Sequence, residues 1–225
     1  MQKSKFRLLC EKIRKNILRP EEAFLANNFA TPIITEFLNK LPNFFKYLLD
    51  TKQLVLDLEI HNIIFHISIL PVKESFGAYS PTDHTITLIL NNPYLLIEDE
   101  ILDDLLRHEL LHYYHAVIQN YKIKRTYSSG DIYNIKYTKN SEELRTYYQA
   151  MCNYIYKSYL ELAKLQNNIK NYKLSDIVSS IWYGMCNYST YPFYTILNTY
   201  TKEEQNQIFD ALLKYMILKV GEKND

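Results

Sequence analysis

The chain has 225 residues, 47% of them hydrophobic and 23% charged, with a net charge of +1. That length supports one substantial core, alone or with helical extensions, and the composition is that of an ordinary globular protein. The near-zero charge argues against a whole-surface nucleic-acid binder, though not against a local basic patch. Tyrosine is frequent, at 21 residues, but Asn, Ile and Lys are also plentiful, so this reads as compositional bias rather than function. The three cysteines, Cys10, Cys152 and Cys186, stand far apart with no C-x-x-C, which fits reduced thiols in a cytoplasmic protein. No apolar run is long enough for a membrane span, and the basic N-terminal stretch lacks the apolar region of a secretory signal.

Residues 3–18 predict an amphipathic helix. Phe6, Leu9, Ile13 and Ile17 share a face, with Lys5, Lys12, Arg14 and Lys15 largely off it. That basic side is either solvated or a contact for phosphate or acidic surface. Pro20 with Glu21 and Glu22 marks a new helix start. A further helix is expected from about residue 32 to 49, kinked or divided at Pro42. Residues 1–50 therefore form a helical lead-in without chemistry of its own.

The period then changes from helical to alternating. Leu54, Leu56, Leu58 and Ile60 alternate with Val55, Asp57 and Glu59, and Ile63, Phe65, Ile67 and Ile69 continue the pattern. A turn at His61-Asn62 makes these a hairpin ending at Pro71. His61 reads as a turn residue and His66 as an outward strand residue. Ser75-Phe76-Gly77-Ala78-Tyr79 follows, then the turn Ser80-Pro81-Thr82-Asp83. A strand runs over His84–Leu90 and breaks at Asn91-Asn92-Pro93.

The next helix is expected to begin near residues 96–98 and to run through Ala116-Val117-Ile118. It carries His108-Glu109-Leu110-Leu111-His112, an H-E-x-x-H sequence. Positions four apart lie on one helix face, so His108 and His112 can aim two imidazoles at one ion. Glu109 is about 100° further round, placed to take a proton from water rather than to bind the metal. Leucines and tyrosines occur all round this helix, which predicts burial. Polar groups in such a helix need partners, so a purely structural role as hydrogen-bonded core residues is the alternative. His115 falls on the same stripe but about 10 Å along the axis from His108, too far to share one tetrahedral ion. It reads as a supporting or core residue.

Residues 122–139 read as an irregular excursion with Lys122, Lys124, Arg125, Lys136 and Lys139 against one acid, Asp131. It is either a substrate-facing loop or a solvated insertion. A strong helix opens near Ser141, with Leu144, Tyr148, Met151, Ile155 and Leu162 on one stripe. Residues 174–190 predict another helix. Thr201-Lys202-Glu203-Glu204 is a capping box opening the last one, which Gly221 ends.

A catalytic zinc site takes three protein ligands, and no histidine follows His115. The acids opening the helix at 141 are the obvious source. On a helical wheel Glu142 points away from the apolar stripe, whereas Glu143 sits on its flank in line with Tyr147. Glu143 is the better candidate, with Glu142 or Asp104 behind it. A helix-capping role for Glu143 stays open.

The pattern G-x-Y-x-P-x-x-H-x-I-x-L over residues 77–88, then H-E-L-x-H on a helix, then an acid opening the next helix, resembles the small zincin metallopeptidases. It is most similar to SprT-like domains and the minimal gluzincins of bacteria and phages, over roughly residues 54–165. The resemblance implies an α+β, zincin-like fold, with a small antiparallel or mixed sheet packed on the active-site helix. The domains expected are a lead-in at 1–50, a metallopeptidase core at 51–165 and a C-terminal helical extension at 166–225. It implies Zn²⁺ on His108 and His112, Glu109 as general base, and Gly77-Ala78-Tyr79 in an edge strand that receives an extended peptide. SprT-like proteins take a downstream His as third ligand. An acid such as Glu143 is the gluzincin arrangement, which weakens any transfer of DNA-linked roles. The expected function is zinc-dependent hydrolysis of a peptide or protein, with Tyr147 assisting the oxyanion. The alternative is a non-catalytic zincin scaffold that binds nucleic acid or a partner protein through its basic segments. Oligomeric state is not legible.

Overall fold

The computed structural model describes residues 17–51, 54–70, 76–90, 99–120, 141–166, 169, 172–187 and 193–221. The expected basic helix, apart from Ile17 and Leu18, the break at residues 91–93 and the excursion at 122–139 lie outside them. The architecture is α+β, mostly helical, with one mixed four-stranded sheet. The chain divides into two compact units, Ala26–Asp131 and Met1–Leu25 with Ile132–Asp225.

Helix α1 spans Pro20–Thr51 without interruption, with Glu21 and Glu22 in its first turn and Pro32 and Pro42 inside it. The start at Pro20 is as expected. The separate helix opening near residue 32 and the division at Pro42 are not found. An interior proline costs roughly 3 kcal/mol because it removes a donor and crowds a carbonyl. Ile33, Ile34, Phe37 and Leu41 are all buried along this stretch. At about 1.5–3 kcal/mol for each large side chain, their burial outweighs the two prolines. Thr31 and Thr35 also donate their hydroxyls to the carbonyls of Asn27 and Thr31, at 2.7 and 2.9 Å.

The sheet of the first unit comprises β1 (Val55–Ile60), β2 (Ile63–Ile69), β3 (Phe76–Tyr79) and β4 (Ile86–Leu90), in the order β1-β2-β4-β3. β1 and β2 form the expected antiparallel hairpin, with Ile60 opposite Ile63. Its turn residues His61 and Asn62 have φ of 52° and 62°. Left-handed backbone at both central positions matches the right-handed twist of the strands. His61 also pairs with Glu36 at 3.0 Å, and His66 pairs with Asp57 on the outward side. β4 runs parallel to β2 and antiparallel to β3. Among the described residues β3 is thus an edge strand, the position anticipated for Gly77-Ala78-Tyr79. The turn from β3 to β4 is fixed by Asp83, whose carboxylate accepts from the Thr85 hydroxyl at 2.9 Å and its amide at 3.3 Å. Hydrogen bonds from Ser80 and Thr85 hold that carboxyl at about 2.

Alternation puts Ile63, Phe65, Ile67, Tyr79, Ile86 and Leu88 on the buried side of the sheet. They share a core with Ala30, Ile33, Ile34 and Phe37 of α1 and with Leu102, Leu105, Leu106 and Leu110 of helix α2 (Asp99–Tyr113). Phe37 and Phe65 meet with ring centroids 5.1 Å apart. The sheet therefore packs against the helix that carries H-E-x-x-H, which fixes that helix about its axis.

The described residues of the second unit are mostly helical. It contains α3 (Ser141–Leu165), α4 (Leu174–Asn187), α5 (Phe193–Leu197) and α6 (Lys202–Gly221). The α3 stripe predicted from sequence is buried at Leu144, Tyr148, Met151 and Ile155. Tyr148 donates its hydroxyl to the Ala211 carbonyl of α6 at 3.2 Å. The capping box is present: the Thr201 amide donates to Glu204 Oε2 at 2.8 Å, and the Glu204 amide to Thr201 Oγ1 at 3.3 Å. Burial pushes the Glu22 carboxyl up, against the opposing pull of Arg145 and Arg19. Burial likewise holds the Cys152 thiol well above its ordinary range, which marks it as a packing residue rather than a nucleophile.

Candidate metal centre

The site is built on α2. Its apolar residues Leu102, Leu105, Leu106 and Leu110 repeat at helical spacing and seat it on the sheet. A charged network inside the same unit locks it further. Arg107, 1% exposed, donates to Asp103 one turn earlier at 3.1 Å. It reaches back to α1 as well, donating to Asn27 Oδ1 at 3.1 Å and to Thr31 Oγ1 at 3.3 Å. Five guanidinium donors in a fixed fork suit this division between a carboxylate and two neutral acceptors. The sequence reading missed this network, although the i,i+4 spacing of Asp103 and Arg107 signals a helical ion pair.

With α2 so held, His108 and His112 project one turn apart. Their Nε2 atoms lie 3.2 Å from each other and their rings are nearly perpendicular, at 83°. Two nitrogens at zinc-bond distance in tetrahedral geometry would be separated by about 3.3 Å. The imidazole pair thus has the spacing of two ligands. Among the described residues one group could hold a metal ion: His108, His112 and Glu143 each offer one ligand atom, and these atoms lie within 4.8 Å of one another. Two imidazole nitrogens and a carboxylate oxygen suit zinc and other borderline divalent ions.

Glu109 is 4% exposed and turned toward β3. A Cβ added at Gly77 would lie 2.8 Å from Glu109 Cγ and 3.4 Å from Oε1. Successive helix residues stand about 100° apart, so Glu109 leaves α2 in a different direction from His108. Tyr147 is buried on α3, one turn beyond Glu143. Glu142 and Asp104 are half-buried and fall outside the metal-holding group.

The helix does not continue regularly to residue 118. After Tyr113 it widens into a π turn over Tyr114–Ile118, closed by the Gln119 amide on the Tyr114 carbonyl at 3.0 Å. A π turn shifts the residues that follow out of α register. Tyr114 packs on Phe29 at 5.2 Å, and Tyr113 stacks on the same ring at 6.1 Å. His115 is buried, with Nδ1 3.0 Å from Gln119 Oε1, and is not in the metal-holding group. His61 and His66 are not in it either.

No protein-family model matches this chain, and neither does any curated protein or solved structure. No helix among the described residues is long and apolar enough to cross a membrane.

Proposed function

We propose that the protein is a zinc-dependent metallopeptidase of zincin type, with the gluzincin donor set His108, His112 and Glu143. The observation that carries this reading is the convergence of these three side chains, two of them from one H-E-x-x-H helix. A zinc ion held there would supply Lewis acidity toward a peptide carbonyl and shift the ionisation of an attacking water to near pH 7. Glu109 would serve as the general base that takes a proton from the attacking water and returns it to the leaving amine. Tyr147, one turn beyond Glu143, would be the donor toward the oxygen on which charge develops. The edge strand β3 would receive an extended peptide by strand addition. The preference for catalysis over a binding scaffold rests on Glu109: it follows His108 directly on α2 and is buried there, and it supplies the carboxylate that a hydrolytic general base requires.

Glu109→Gln separates the two. The amide keeps the shape but cannot accept the proton. We expect the variant to retain about one zinc per chain by elemental analysis. It should also lose hydrolysis of a mixed peptide library that wild type cleaves, read by mass spectrometry. A Gln variant as active as wild type would refute the mechanism. Wild type that binds zinc and cleaves nothing would return the argument to the scaffold.

A further inference from the structure

We propose that Gly77 is a positioning residue, whose missing side chain sets where the Glu109 carboxylate stands. The catalytic consequence rests on the peptidase reading above; the packing consequence does not. In β3 the alternation turns Gly77 and Tyr79 to the buried side, and Phe76 and Ala78 to the other. In register, Gly77 lies beside Leu88 and Tyr79 beside Ile86. Tyr79, Ile86 and Leu88 each fill their place on that face and are fully buried. At Gly77 the strand fills nothing, and the space holds Glu109 together with the end of Leu105. An added Cβ would come 2.8 Å from Glu109 Cγ and 3.2 Å from Leu105 Cδ1.

The two contacts would not yield equally. Leu105 Cδ1 is the end of a side chain and moves aside by rotation about its last bond. Glu109 Cγ is fixed by the first torsion, and a helix populates only two wells of that torsion for most residues. Relief there is a rotamer jump that carries the carboxylate away by ångströms. A general base works only within about 2.6–3.2 Å of the proton it takes. The hydrogen at position 77 therefore holds the base in its working rotamer.

The test pairs Gly77→Ala with Glu109→Ala, which removes the obstructing Cγ. In metal-free protein, Gly77→Ala should lower the melting temperature by about 3–6 °C in the wild-type background. In the Glu109→Ala background the drop should be less than half as large. Equal drops overturn the inference whatever the activity. Should Gly77→Ala fail to fold, recovery of folded protein in Gly77→Ala/Glu109→Ala supports the contact, and continued failure overturns it. In zinc-loaded protein, Gly77→Ala should keep its zinc and its KM while kcat on a cleaved peptide falls about a hundredfold. Unchanged kcat, or lost zinc, would overturn the positioning role. Unequal melting drops in a protein that cleaves no peptide would support the packing contact and sink the peptidase reading alone.

Discussion

Glu142 and Glu143 are adjacent and chemically identical, yet only one belongs to the metal-holding group. The difference is 100° of helix. Glu143 shares its line with the buried Tyr147, whereas Glu142 is one position back, on the side away from the apolar stripe. Glu143→Gln should weaken zinc binding beyond the roughly 10–100-fold typical of residues that merely support ligands. Glu142→Gln should leave it nearly unchanged. Competitive titration with a zinc-sensitive chelator measures both, and equal affinities would remove Glu143 from the ligand set. This choice was legible in the sequence because periodicity alone ranks two neighbours on one helix. The contact of Gly77 with Glu109 was not. It depends on how closely an edge strand approaches a helix, and no spacing within either segment encodes that distance.

At the scale of elements, the placement of α2 depends on more than its leucines. Arg107 and Asp103 are both buried, and Arg107 ties α2 to α1 through Asn27 and Thr31. Two charges taken from water gain little net stability, but removing one partner strands the other, at a cost of about 3–5 kcal/mol. Arg107→Met should therefore be strongly destabilising in urea, and Arg107→Met/Asp103→Leu should recover much of the loss. A double variant no more stable than Arg107→Met would show that the network does not act as a pair. The prolines of α1 show why element boundaries were misread. Local rules place a stop at Pro42, but the buried face from Ile33 to Leu41 continues across both prolines and the burial term is larger. The π turn after Tyr113 escaped for a related reason. It follows the packing of Tyr113 and Tyr114 on Phe29, a partner many residues away on another helix. The hairpin, the stripe of α3 and the capping box of α6 were readable because each is decided by residues within a few positions.

For the whole molecule, metal and folding should be linked. His108, His112 and Glu143 lie on two different helices, and an unfolded chain cannot hold their ligand atoms within 4.8 Å of one another. Zinc then binds the native state preferentially and stabilises it by mass action. At free zinc 100-fold above the dissociation constant the gain is about 2.7 kcal/mol. For a chain of this size that corresponds to a rise of about 5–11 °C in melting temperature. A chelator should reverse the rise. His108→Ala and His112→Ala should abolish it, while Glu109→Gln, which removes no ligand, should keep it in full. Differential scanning calorimetry with and without zinc provides the comparison. A zinc-dependent rise that survives in His108→Ala would place the metal elsewhere on the protein, and the proposed chemistry would fall with it.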